Sequence, residues 1–138
     1  MNAVSQRALQ LYDEVTYDAS VEFANQHALV SMLFRSLLDS LNDALRHMRR
    51  NEYASKGQCI TKAQGIIAGL ISTLDFERGG DIAKDLASIY GYCHRSLTRA
   101  HAQNDESKLT EVRDTLNKLY GAWASIPPSI AKGTHRPR

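Results

Sequence analysis

Five histidines and two cysteines are the side chains of this 138-residue chain best suited to hold a metal or act on a substrate. A di-iron site of the ferritin-like kind needs Glu-x-x-His on inward-facing helices. The residues three before His27, His47, His94, His101 and His135 are Ala24, Ala44, Gly91, Thr98 and Lys132, so that site is absent. Cys59 and Cys93 stand far apart, and Cys93-His94 lacks the second cysteine of a C-x-x-C-H haem attachment. Nothing selects Met32 and His101 as haem ligands. His94 and His101 can share a helix face, but two histidines fall short of the ~4 ligands zinc normally takes. No G-x-S-x-G or H-E-x-x-H occurs, and the carboxylates are scattered. The Gly79-Gly80 turn lacks the spacing of a phosphate-binding loop. The expectation is no catalytic residue, no metal and no cofactor.

The elements that carry these residues read as helices. Pro127, Pro128 and Pro137 are the three prolines, so residues 1–126 contain none. With 43% hydrophobic residues and few Gly/Pro turns, this argues for an all-α domain and against a sandwich or barrel. A first helix is expected over about 27–50, with Leu29, Met32, Leu33, Leu37, Leu41, Ala44, Leu45 and Met48 on one face. A second, over about 52–74 with Asn51 as N-cap, carries Ile60, Ala63, Ile67, Leu70 or Ile71, and Leu74. A third, over about 82–102 with Asp81 as cap, carries Ile82, Leu86, Ile89, Tyr90, Cys93, Leu97 and Ala100. A fourth, over about 106–125 with Asp105 as cap, carries Leu109, Val112, Leu116, Leu119, Tyr120, Trp123 and Ile126. Short connections make neighbours antiparallel, giving an up-down-up-down four-helix bundle. Residues 1–126 form one domain, with residues 1–25 a short N-terminal helix or lid. Residues 127–138 are a flexible basic tail.

Seventeen basic against fifteen acidic residues is too balanced to imply nucleic-acid binding. The Arg46-His47-Met48-Arg49-Arg50 cluster suits a helix C-terminus, where cations complement the dipole. No apolar run reaches membrane-span length, and the start of the chain has no signal-peptide pattern, so a cytoplasmic protein with free thiols is expected.

Two features exceed what a plain bundle needs. Val30, Phe34 and Leu38 form a second apolar stripe beside the first-helix seam. It covers either the chain's own second flank or a partner. Gly65 and Gly69 lie one turn apart, and each costs up to ~1 kcal/mol relative to alanine in a helix. Such a pair suggests close approach of another backbone, a neighbouring helix or a bound peptide. The physical reading is an interaction protein.

A further series of residues is specific as an ordered set. Lys56-Gly57, Ile60, Lys62-Ala63 and Ile66-Ile67 fit K-G-x-x-I-x-K-A-x-x-I-I; Leu70, Leu74-Asp75, Glu77 and Gly79-Gly80 fit L-x-x-x-L-D-x-E-x-G-G. Ile82-Ala83, Leu86, Ile89-Tyr90, Tyr92 and Leu97 continue the pattern, as do Leu109, Val112, Leu116, Leu119 and Trp123. Over about residues 24–126 the chain resembles the flagellar secretion chaperone family, FliS. The resemblance implies a bundle with an N-terminal cap that binds the C-terminal segment of flagellin. Binding in the cytoplasm would keep flagellin monomeric and deliver it to the flagellar export apparatus. The partner would fold as it binds, laying amphipathic turns into apolar grooves.

Two departures stand out. Where the family has T-A-S-P before its first long helix, this chain has Phe23-Ala24-Asn25-Gln26; where it has Y-x-Y-M-x-R-R-L, this chain keeps one arginine of the pair, Arg95. The expected partner-binding set is Tyr12, Tyr17 and Val21 in the lid, Val30, Phe34 and Leu38 on the first helix, and Lys62, Gly65, Ile66 and Gly69 on the second. Tyr92 and Arg95 join it through the resemblance. An alternative is a regulatory bundle that binds another flagellar or secretion protein. An uncovered groove would also permit a homodimer.

Overall fold

The computed structural model describes residues 19–126, with side chains from Ala24 onward. Four helices follow one another: α1 (Ala19–Arg49), α2 (Tyr53–Ser72), α3 (Phe76–Gln103) and α4 (Glu106–Ala124). They form an antiparallel ring in which α1 packs on α2 and α4, and α3 on the same two. Leu33, Leu37, Leu41, Ala44 and Leu45 of α1 meet Ile60, Ala63, Ile67 and Leu70 of α2 in a continuous core, which Cys93, Leu97 and Ala100 of α3 and Leu109, Val112 and Leu116 of α4 complete. These are the residues whose three-and-four spacing marks one apolar face per helix.

The helix ends show local chemistry at work. Asp105 caps α4 by accepting from the Lys108 amide at 3.0 Å, as its position suggests. Asp75 caps α3, accepting from the Glu77 and Arg78 amides at 3.1 Å. This replaces the expected cap at Asp81, because the helix begins before the glycine pair. Gly80, at φ 49° and ψ −126°, kinks α3 one turn in. Only glycine adopts such a conformation without strain. Asn51 is not the α2 cap either. It takes a left-handed φ of 59° in the linker, and Glu52 holds the cap position without a side-chain bond.

The largest difference from expectation lies at the start of α1. The helix begins at Ala19, so Val21 and Phe23 belong to it rather than to an irregular lid. No proline or glycine interrupts residues 19–26. Extending a formed helix fixes one residue per hydrogen bond, whereas starting one fixes several. The place where the resembling family carries a proline is here helical throughout. α1 has 31 residues and α2 has 20, a difference of about 16 Å in length. Gln26 donates to the Thr73 carbonyl just beyond the end of α2, at 3.2 Å, so the residues before it overhang the bundle.

Candidate partner-binding face

The two ends of the bundle are built differently, and the candidate face follows from that. At the end formed by the last turns of α1 and α3 and the first turns of α2 and α4, the core is sealed. Met48, Ile60, Leu97, Ala100 and Leu109 are all buried there. Lys56 lies among them, 1% exposed. Its stem sits on the core-facing stripe with Ile60, Ala63 and Ile67. Its ammonium donates to the His101 carbonyl at 3.1 Å and to the Asn104 side chain, and lies 5.3 Å from the Tyr53 ring centroid. The cation therefore sits on the C-terminus of α3, where the helix dipole favours it. Burial pushes its pKa below the ordinary lysine value. Sequence reasoning missed this burial; the signal that points to it is the register of Lys56, four residues before Ile60 on the same face.

At the other end the seams lose their cover. Ile82, expected in the α3 seam, is 72% exposed. Phe76 and Ile126 are also exposed there, as are Met32 of α1 and, past the middle of α3, Tyr92. Leu86, Ile89, Leu119 and Trp123 are only half-buried. The kink at Gly80 and the end of α4 leave the α3 seam without a complete neighbour. Ile82, Ile89 and Tyr92, seven and then three residues apart, therefore form an apolar edge along α3. What closes this end is a clasp between α1 and α4. His27 stacks on Trp123 with ring centroids 4.8 Å apart. Its Nε2 lies 3.2 Å from the Trp123 carbonyl, and the indole N–H donates to the His27 carbonyl at 3.3 Å. A carbonyl only accepts, so this contact puts the imidazole proton on Nε2.

Between α2 and α3 runs a shallow groove of about 620 Å³, lined by Tyr53, Ala54, Gly57, Gln58, Thr61, Lys62 and His101. Gly57 makes its floor. A Cβ there would come within 3.1 Å of the His101 ring. Of the glycine pair expected to mark a close approach, Gly65 has room, since a methyl group there would meet nothing within 4 Å, and Gly69 is buried. Gln64 ties the groove wall to α3, donating to the His94 carbonyl and the Thr98 hydroxyl at 3.1 and 2.8 Å.

The expected partner-binding residues divide accordingly. Lys62 lines the groove, Gly65 is half-buried one turn beyond it, and Tyr92 and Arg95 are exposed on α3. Lys62 and Arg95 form no ion pair among the described residues. Val30, Phe34, Ile66 and Gly69 are buried in the bundle, and Leu38 is half-buried against it. The second α1 stripe is thus filled from within: Phe34 meets Tyr120 at 5.6 Å and Tyr90 at 6.4 Å between centroids. Phe34 of the surplus stripe is flanked by Tyr120 of α4 and Tyr90 of α3. Tyr12 and Tyr17 lie outside the described residues, as does the side chain of Val21.

The chemistry-bearing residues stay apart. Met32 is near the open end and His101 at the sealed one, so they share no site. Among the described residues no three His, Cys, Asp or Glu side chains cluster as metal ligands, and no helix is long and apolar enough to cross a membrane. Cys93 is buried, which with the nearby Glu111 raises its thiol to about 11 and keeps it protonated and unreactive.

Residues 8–130 match the family model described as flagellar protein FliS. Among characterised relatives, the flagellar secretion chaperone FliSB of Pseudomonas aeruginosa is 38% identical, over 87% of this chain and 95% of the relative. The flagellar secretion chaperone FliS of Vibrio cholerae is 34% identical over 88% and 89% of the two chains, and that of Salmonella typhimurium 34% over 89% and 92%. With a four-helix bundle and near-complete coverage by relatives of this identity, the chain belongs to the FliS family of flagellar secretion chaperones.

Proposed function

We propose that this protein binds the C-terminal segment of flagellin in the cytoplasm, prevents its premature polymerisation and delivers it to the flagellar type III export apparatus. The observation that carries this reading is the apolar edge of Ile82, Ile89 and Tyr92, which runs along α3 from the open end of the bundle. An exposed edge of this kind suits a segment that has no core of its own and gains one by docking. Such a segment loses chain entropy on ordering, and repeated apolar contacts along a long surface offset the loss. Amphipathic turns would place aliphatic side chains against Ile82 and Ile89, with Tyr92 and Arg95 at the rim. The stretch through Lys62 and Gly65 would continue the track along α2. Tyr12, Tyr17 and Val21 would cover part of this surface in the absence of the partner. Val30, Phe34, Leu38, Ile66 and Gly69 would act from beneath, by holding the helices in place.

Titration with a synthetic flagellin C-terminal peptide tests the proposal. The expected result is binding at about micromolar affinity or tighter, with a gain in far-UV helicity. Trp123, the single tryptophan, sits at the open end and would report docking by a change in emission. Ile82→Asp should weaken binding while leaving the melting curve nearly unchanged. Absence of both heat and helicity gain would overturn the reading. Recovery of only a different flagellar export protein would favour a regulatory adaptor.

A further inference from the structure

The sealed end carries a second feature that the apolar edge does not use. A pocket of about 360 Å³ opens between α1 and α4, lined by Asn42, Leu45, Arg46, Arg49, Arg50 and Arg113. Four of its six lining residues are arginines. Leu45 is buried and gives the pocket an apolar floor. The walls are held across the helix interface: Arg113 donates to the Asn42 side-chain carbonyl at 3.2 Å, and Arg49 Nε to Glu106 at 2.8 Å.

The guanidinium groups retain donors. Arg46 uses one nitrogen on Asp43 at 2.8 Å, and Arg49 uses Nε on Glu106. Arg113 spends its fork on Asp114 and Asn42. Arg50 has no carboxylate within 4 Å among the described residues. Each guanidinium carries five N–H donors in a planar fork that fits a carboxylate. The existing pairs of Arg46 and Arg49 are about half exposed. Exposed pairs contribute little, so an incoming carboxylate can share or replace them.

We propose that this pocket is a docking site for an acidic segment of a partner protein, whose Glu or Asp side chains enter between Arg46, Arg49 and Arg50, with Arg113 holding the far wall. Charge complementarity decides the class of occupant. A nucleic-acid backbone is the poorer match: Asp43, Glu106 and Asp114 stand interleaved with the arginines and would repel a continuous line of phosphates. A short run of carboxylates can instead be placed between them. The pocket lies at the opposite end of the bundle from Ile82, so the two partners could be held at once.

The test uses a labelled glutamate-rich peptide, its glutamine counterpart, inorganic phosphate and a single-stranded oligonucleotide, each titrated against the full chain. The glutamate peptide should bind, weaken as salt rises, and bind at least about tenfold tighter than the glutamine version. The double substitution Arg46→Glu/Arg50→Glu should abolish this binding with the melting curve and flagellin-peptide affinity kept, and Arg46→Lys/Arg50→Lys should restore part of it. Equal binding of the two peptides, undiminished binding by the double glutamate variant, or tighter binding of phosphate or the oligonucleotide than of the glutamate peptide would overturn the proposal.

Discussion

The two ends of this bundle use the same kind of seam to opposite effect. At the sealed end, four apolar faces converge, and even a lysine is drawn in and held by the His101 carbonyl and the Asn104 side-chain oxygen. At the open end the α3 seam continues through Ile89 to Ile82, but its neighbours are kinked or finished, and the apolar side chains meet solvent. Stability and recognition are thereby separated along one set of helices. A chaperone that must present apolar surface without unfolding benefits from a core anchored away from that surface. Among the described residues, a stacked His27–Trp123 pair and the Gln26 bond tie α1 to its neighbours at the open end.

The sharpest way to break this comparison is to truncate one aliphatic side chain at each end. Leu109→Ala at the sealed end should cost about 2–5 kcal/mol, as buried leucines do. Ile82→Ala should change stability by no more than ~0.5 kcal/mol. Urea denaturation of both variants checks this, and equal losses would mean that the open end is as well packed as the sealed one.

Lys56→Ala comes next. It leaves Asn104 and the end of α3 without their donor and should cost about 1–3 kcal/mol. It also has a pH signature. Burial lowers the lysine's pKa, so between that lowered value and the ordinary one the unfolded chain holds the proton and the folded chain does not. Stability then rises with pH across that window. The wild-type minus variant difference, followed by denaturation in alkaline buffers, should show the rise.

Gly80→Ala should cost about 1–3 kcal/mol, because a side chain is strained at this φ and ψ. The melting temperature checks the loss. The same change should alter partner binding through the direction of the first turn of α3. The smallest expected effect is at the sealed end's surface. The His47 hydrogen bond, with nearby cations, holds the exposed Glu52 carboxyl below its ordinary value. Its stabilising contribution is present above the ordinary glutamate range and is lost as pH falls towards the lowered value. His47→Ala should reduce that dependence, leaving the smaller part due to Arg46 and Arg50, as a Glu52 titration by NMR would record.

Much of this was legible in the residues. The absence of proline before Pro127, the spacing of the four seams and the cap at Asp105 yield the helices, their order and their antiparallel packing. The ordered series from Lys56 to Trp123 identifies the family. The binding face was less legible. Periodicity states which side of a helix is apolar, but exposure depends on where its neighbours stop, and that is a property of several segments at once. Val30 and Phe34 looked like surplus surface and became core, Phe34 because Tyr90 and Tyr120 reach it. Ile82 looked like core and became surface because α4 ends and Gly80 turns the chain.

The sequence by itself determined the helices, their order, the cap at Asp105 and the family, since these depend on spacing and backbone propensity within a few residues; the starts of α1 and α3 lay elsewhere than the residues suggested. Only the tertiary structure decided which half of each apolar face was covered, and that Lys56 was buried and Arg50 left facing a pocket. Burial is set by helix lengths and by side chains distant in the chain, and no local pattern contains them.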